Sequence, residues 1–112
     1  MLQVINQVEL LSSNIGWEFD GSLHGGVNVC FLIITAPPGS GPSLHLHPYD
    51  EVFIVQEGQV TFTVGTETLE ATGGQIVIVP TGTPHRFVNS GTNLLRQVDI
   101  HLSPHFITNW LT

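Results

Sequence analysis

Two stretches of the chain, residues 39–58 (GSGPSLHLHPYDEVFIVQEG) and residues 74–89 (GQIVIVPTGTPHRFVN), decide how the rest of it is interpreted. In the first stretch a loop rich in glycine and proline leads into His45-Leu46-His47, and an apolar run begins shortly afterwards at Glu51. Side chains of a strand alternate between its two faces, so His45 and His47 project to the same side. The run that begins at Glu51 can return its carboxylate toward them, and we expect these three side chains to meet.

The second stretch supplies a third histidine, His85, at the start of a strand that follows a turn of proline and glycine. Three neutral imidazole nitrogens and one anionic oxygen suit a divalent first-row transition metal. The predicted metal ligands are therefore His45, His47, Glu51 and His85. This donor set accepts iron, manganese, nickel, cobalt, copper or zinc, so the sequence leaves the identity of the metal open.

Outside these stretches, glycine and proline separate short runs rich in Val, Ile, Phe and Thr, which is typical of an all-β domain. The predicted strands are residues 3–10, 15–20, 27–36, 43–47, 51–57, 59–64, 67–71, 76–79, 84–89 and 93–102. Ser103 and Pro104, followed by apolar residues at helical spacing, predict a short C-terminal helix over 103–111. No linker or repeat divides the 112 residues, so we expect one domain over residues 1–112.

The charge balance limits the partners of the protein. Nine acidic residues and only two basic ones, Arg86 and Arg96, give a formal net charge of −7. Nucleic acids and anionic membrane surfaces are bound through clustered lysine and arginine, so neither is an expected partner. The amino terminus lacks a basic region and a long apolar stretch, and we expect the protein in the cytosol. The one cysteine, Cys30, falls within an apolar run and is expected to be a buried, unreactive thiol.

The two stretches resemble the two sequence motifs of the cupin superfamily. The first motif reads glycine, five residues, His-x-His, three or four residues, glutamate, six residues and glycine, and residues 39–58 match it at every position. The second reads glycine, five residues, Pro-x-Gly, two residues, histidine, three residues and asparagine, and residues 74–89 match it throughout. The short spacing between the motifs is similar to that of small single-domain bacterial cupins. The resemblance implies a conical β-barrel of jelly-roll topology, the same four metal ligands, and often a homodimer.

An apolar pocket is predicted beside the metal ligands. Alternation along the two ligand-bearing strands places Phe53, Val55 and Phe87 on the same side as the ligands, as the wall of a pocket for a small-molecule substrate. Val52 and Ile54 then face the other way. A strand that is apolar on both faces indicates that another strand or subunit covers its outer face, and we therefore expect a homodimer.

The strand of residues 93–102 has two possible orientations, because polar and apolar side chains alternate along it. The ordinary orientation, which we favour, buries its apolar side chains and leaves Gln97, Asp99 and His101 in water. The inverse orientation places His101 and Gln97 in the pocket, as proton-transfer or substrate-contacting groups. The two remaining histidines, His24 and His105, are expected at the surface.

The predicted function follows from the open positions of the metal. Four protein ligands on a cation that prefers six leave two positions beside the pocket, which favours Lewis-acid or dioxygen chemistry on a small organic molecule. Cupins with this ligand set include dioxygenases that cleave enolisable substrates. The resemblance implies such an enzyme, in which Glu51 is a ligand that can also act as a base. The inverse orientation of residues 93–102 makes His101 a second candidate catalytic residue.

Three alternatives to the dioxygenase stay open. One is a metal-dependent isomerase or lyase, and another is a non-catalytic module that binds a sugar or an aromatic acid. The third, a purely structural metal, fits less well, because such sites are closed and often rich in thiolate ligands. The orientation of His101 discriminates between these functions. An inward His101 favours catalysis, whereas purely apolar surroundings of the metal ligands favour binding, or oxygen chemistry that needs no further proton donor.

Overall fold

The computed structural model describes residues 2–112 as two antiparallel sheets, which confirms the all-β prediction. The strands are β1 (Leu11–Ser13), β2 (Gly16–Asp20), β3 (Cys30–Ala36), β4 (His45–Leu46), β5 (Glu51–Glu57), β6 (Gln59–Val64), β7 (Glu67–Thr72), β8 (Ile76–Val79), β9 (His85–Asn89), β10 (Leu95–His101) and β11 (Asn109–Trp110). One sheet has the order β1-β2-β3-β10-β5-β8 and the other has the order β11-β4-β9-β6-β7. Within the described residues, the helical structure consists of two 3-10 turns, Gln7–Glu9 and Gly21–Leu23.

The apolar core lies between the sheets. Phe53 of β5 packs edge-on against Phe62 of β6, with ring centroids 4.9 Å apart, and Phe87 of β9 packs beside both rings. The buried cluster around these rings contains Ile34, Ala36, Val55, Val60, Ala71, Val79 and Leu95. Because both sheets contribute to this cluster, its burial holds them face to face. Cys30 is a buried free thiol, as predicted, and burial raises its pKa.

Two motif glycines show why the turns need this residue. Gly58 joins β5 to β6 with φ +98°, and a Cβ there would lie 2.8 Å from the carbonyl oxygen of Leu94. Gly82, with φ +73°, makes the turn that delivers His85 to the start of β9. Only glycine adopts such left-handed conformations without strain.

None of the helical segments in residues 2–112 could span a membrane.

The predicted strand over residues 3–10 is wrong. That segment contains the 3-10 turn Gln7–Glu9, and the first strand begins only at Leu11. Its apolar side chains Val4 and Val8 are 88% and 80% exposed. The apolar side chains of this segment therefore do not pack against the core, although they alternate with polar residues in the sequence.

The predicted helix over residues 103–111 is also wrong. Asn109–Trp110 instead forms β11, which pairs with β4 at the edge of the smaller sheet. β10 ends at His101, and the Ser103 hydroxyl then donates to the carbonyl oxygen of His105 and accepts from its backbone N–H. The backbone of Ile107 bonds to Tyr49 and His47, so its polar groups are satisfied outside a helix.

The orientation that we favoured for β10 is wrong, and the inverse is correct. Gln97, Asp99 and His101 are 0%, 1% and 3% exposed, whereas Leu102 is 53% exposed. β10 lies in the middle of the six-stranded sheet, between β3 and β5. Register pairs His101 with Glu51, so the face that carries the glutamate also carries the polar side chains of β10.

The outward side of the same sheet is apolar across five strands. Register aligns two rows, Phe19-Phe31-Ile100-Val52-Ile78 and Trp17-Ile33-Val98-Ile54-Ile76. We call these ten side chains the outer apolar face. Eight of them are half-buried, and the two on edge strand β8, Ile76 and Ile78, are 64% and 65% exposed.

Candidate metal centre

The fold brings the four predicted metal ligands together in the interior. One ligand atom from each of His45, His47, Glu51 and His85 lies within 4.8 Å of the others, and all four residues are buried. β4 begins at His45 and pairs it directly with His85 at the start of β9. Glu51 begins β5 in the facing sheet. The alternation of side chains along strands therefore produces the convergence that the sequence predicted.

Backbone carbonyls orient all three imidazoles. The Nδ1 atoms of His45, His47 and His85 lie 2.6, 2.8 and 2.8 Å from the carbonyl oxygens of Ser43, Ile107 and Thr83. A carbonyl only accepts hydrogen bonds, so each Nδ1 carries the hydrogen and each Nε2 is left with a lone pair. This is the arrangement that metal-binding histidines show, because the backbone contact fixes both tautomer and ring orientation.

The lone pairs of the imidazoles face a carboxylate oxygen. Oε1 of Glu51 lies 3.1 Å from Nε2 of His47 and 3.0 Å from Nε2 of His85. Nε2 of His47 is buried, and its approach to Glu51 lacks hydrogen-bond geometry. Acceptors packed this closely need a positive charge between them, which a divalent cation or a proton supplies. The donor set fits a divalent transition metal.

The electrostatics favour the ligating forms of His45 and Glu51 and the protonated form of His85. Burial, together with the neighbouring His85 and His47, lowers the pKa of His45 to about 4, so its imidazole is neutral at pH 7. Burial raises the pKa of Glu51, but its contacts with His101, His47 and His85 outweigh burial and hold that pKa well below its ordinary value. His85 is also buried, and its contacts with Glu51 and Thr83 raise its pKa.

A fourth histidine contacts the other oxygen of Glu51. Nε2 of His101 lies 3.0 Å from Oε2 of Glu51, and Nδ1 lies 2.8 Å from the hydroxyl of Tyr49. The backbone N–H of Ile107 donates to that hydroxyl, at 3.2 Å, which leaves the hydroxyl hydrogen to be donated to His101. His101 then carries its own hydrogen on Nε2, which is buried close to Oε2 of Glu51 but lacks hydrogen-bond geometry with it. Burial raises the pKa of Tyr49 to about 12, so the hydroxyl keeps its proton at neutral pH.

Sequence reasoning missed Tyr49 and the backbone of Ile107 as parts of this site. The signal for Tyr49 was available, because it follows His45 and His47 by the same two-residue step and lies on the same side. Ile107 could not be found in this way. Its N–H and carbonyl act through contacts that span 58 and 60 residues of chain.

A cavity of about 240 Å³ opens beside the cluster. Phe53 and Phe87 line it, as predicted, while Val55 and Gln97 are buried one step further along their strands and do not. Trp110 of β11 packs at a tilt against His45, with ring centroids 5.0 Å apart, and forms another part of the wall.

The two histidines expected at the surface lie outside this site. His105 is exposed, as predicted. His24 is half-buried, because its ring stacks on Phe19 with centroids 4.7 Å apart. Neither residue lines the cavity.

Comparison with known proteins extends the resemblance seen in the motifs. Over 68 residues the chain is 40% identical to polyketide synthase CurC of Streptomyces cyaneus, a match that covers 60% of this chain and 44% of that protein. Over 107 residues it is 24% identical to the HTH-type transcriptional regulator PuuR of Escherichia coli, covering 92% of this chain and 58% of that protein. The chain therefore spans about half the length of these relatives.

Solved structures share the fold. An oxalate decarboxylase from Bacillus subtilis aligns with 94% of this chain and 31% of its own, with a TM-score of 0.82 and 22% sequence identity. Mn(II) centres are described for that enzyme. The family model for the cupin domain matches residues 32–101, the segment that carries all four clustered ligands together with His101. With its two sheets and both motifs in place, the chain belongs to the cupin family.

Proposed function

We propose that the protein is a metal-dependent enzyme that acts on a small organic molecule, with chemistry of the dioxygenase type. The observation that supports catalysis over binding is the inward position of His101, which is buried between Glu51 and Tyr49. A site that only bound a ligand would not need an ionisable pair beyond the metal ligands. An acid–base group in hydrogen-bond reach of a ligand carboxylate is what proton transfer requires.

The residues that would hold the metal are His45, His47, Glu51 and His85. When bound, a redox-active divalent metal supplies Lewis acidity and the activation of dioxygen. The Mn(II) centres of the structurally similar decarboxylase make manganese a first candidate beside iron. These four protein ligands leave coordination positions open for substrate.

The other residues of the chain bind the substrate and position the proton-transfer group. The rings of Phe53, Phe87 and Phe106 line the cavity, so they take the apolar body of a substrate and exclude water from the reacting atoms. Oε2 of Glu51 faces away from the imidazoles of His47 and His85 and is the candidate base for an enolisable substrate. His101 orients that oxygen and is the second candidate acid–base residue.

The test is oxygen uptake by the protein loaded with Fe(II) or Mn(II), measured with 2,4-pentanedione as an enolisable diketone. We expect uptake that depends on metal and diketone, and a loss of at least tenfold in His101→Gln, in line with the contribution of a positioned acid–base group. His105→Ala, which changes an exposed histidine, serves as the control. Bound metal without uptake on any enolisable substrate would contradict the dioxygenase and favour an isomerase or lyase.

We also propose that the protein is a homodimer that pairs through the outer apolar face. Ten apolar side chains on five adjacent strands form a continuous surface, and the two at its edge are the most exposed. Monomeric proteins rarely leave so large an apolar patch in water. A second copy covers it with a surface of the same chemistry.

The cytosolic location stays a prediction from the sequence.

A further inference from the structure

A buried carboxyl group in the cavity takes no part in the metal cluster. Asp99 lies on β10, two residues before His101 and on the same face, and it lines the cavity. Its Oδ1 accepts a hydrogen bond of 2.8 Å from Nε2 of Gln97. Its Oδ2 is buried and has no hydrogen-bond partner among the described residues. Buried polar atoms are nearly always paired, so an unpaired one beside a cavity marks a place for a ligand atom.

The neighbours of Asp99 across the sheet are apolar, and no lysine or arginine side chain lines its cavity. These neighbours are Leu32 on β3 and Phe53 on β5. The other ionisable side chains that line the cavity are Glu18 from β2, His101 from β10 and three metal-cluster residues, Glu51, His45 and His47. Both arginines of the chain, Arg86 and Arg96, are exposed and lie outside the cavity.

These surroundings decide which partner Asp99 can take. Burial, with a smaller effect from the charge of Glu51, raises the pKa of Asp99 well above its ordinary value. A raised pKa favours the protonated form, and a protonated carboxyl group donates a hydrogen bond to an acceptor. The matching ligand atom is therefore an uncharged oxygen acceptor.

We propose that Asp99, oriented by Gln97, is a substrate-binding residue that donates a hydrogen bond to a carbonyl oxygen of a compact, uncharged substrate. This proposal rests on the proposed function, because it assigns the substrate class of the same cavity. The apolar wall takes the hydrocarbon part of that substrate, and Asp99 fixes its orientation relative to the metal cluster. A dicarboxylate such as oxalate is outside this class, since no lysine or arginine lines the cavity to accept a second carboxylate.

The test measures binding of two probes of similar size, acetophenone and ethylbenzene, which differ in the carbonyl oxygen. Titration is followed by isothermal titration calorimetry in protein of measured metal content. We expect the wild type to bind acetophenone about tenfold more tightly than ethylbenzene, the effect of one hydrogen bond in an apolar site. Asp99→Leu should weaken acetophenone about tenfold and leave ethylbenzene binding no weaker. Asp99→Asn should keep acetophenone binding, because its amide still donates.

The proposal is overturned if acetophenone does not bind, if it binds no better than ethylbenzene, or if Asp99→Leu leaves its affinity unchanged. Should Asp99→Leu fail to fold because Gln97 loses its partner, the double variant Gln97→Leu/Asp99→Leu removes both polar groups and is tested in the same way. Failure of the proposed function has a separate signature. Protein that takes up no metal but binds acetophenone through Asp99 would refute the metal enzyme and keep this inference, and the converse result would refute the inference alone.

Discussion

Replacing His85 with alanine is expected to abolish tight metal binding and leave the domain folded. His85 is buried at the start of β9, with Nδ1 bonded to the Thr83 carbonyl and Nε2 3.0 Å from Glu51. It is not a member of the apolar cluster that holds the sheets together. The change therefore removes one of the four ligand atoms and a small part of the packing.

The size of the effect follows from these contacts. Without metal, truncation of this buried side chain costs about 1–2 kcal/mol, or roughly 4–8 °C in Tm for a domain of this size. Metal at 1,000 times its Kd stabilises the wild type by about 4 kcal/mol, roughly 16 °C. Loss of a ligand weakens binding at least ~100-fold, since changes to residues that only orient ligands already cost 10–100-fold. The weaker binding lowers the stabilisation by metal by about 2.7 kcal/mol, so metal raises the Tm of the variant by only roughly 6 °C.

The assay is differential scanning fluorimetry of chelator-stripped protein, titrated with Mn²⁺ and with Zn²⁺. His105→Ala is the matched control, because it removes an exposed imidazole outside the cluster and should keep the full shift. A His85→Ala variant that retained the full metal-induced shift would refute the ligand assignment. A metal-free variant that was unfolded at 25 °C would refute the claim that the fold is independent of the metal.

Three further changes test other parts of the site and surface. Tyr49→Phe removes the hydroxyl that bonds to His101 and Ile107, and we expect turnover to fall about 10–100-fold while elemental analysis shows unchanged metal content. Because Asp99 has a raised pKa, the native state keeps a proton that the unfolded chain loses. The free energy of unfolding should therefore fall as pH rises from about 4 through that raised pKa. Urea unfolding at several pH values should show a smaller dependence on pH for Asp99→Asn. Val98→Glu places a charge in the outer apolar face and should convert a dimer to a monomer in light scattering, whereas a wild-type monomer would contradict the proposed dimer.

Three of the four metal ligands could be predicted from the sequence because their geometry is local, whereas His85 joins them through the pairing of β9 with β4. Two histidines two residues apart on one strand must share a face, and a turn of three residues brings Glu51 back toward them. Glycine at positions 58 and 82 marks turns that the structure confirms as left-handed. These features depend on backbone geometry alone, so one sequence was enough to place them.

The wrong predictions concern segments whose structure depends on contacts with distant parts of the chain. β10 has polar and apolar faces, but its sheet is apolar on the outside and carries the polar site on the inside, so polarity gave the wrong orientation. Pairing with Glu51 across the sheet fixes the orientation of His101 instead. The C-terminal segment had helical spacing, yet β11 pairs with β4, more than 60 residues earlier in the chain. Local periodicity does not contain either of these contacts.

The central claim is that one divalent metal is bound by His45, His47, Glu51 and His85. The most direct test is an anomalous difference map from crystals of protein purified without chelator and soaked in Mn²⁺. We predict one strong peak per chain within about 2.0–2.3 Å of Nε2 of the three histidines and of Oε1 of Glu51. No peak in the cluster, or a metal held by other residues, would contradict this account.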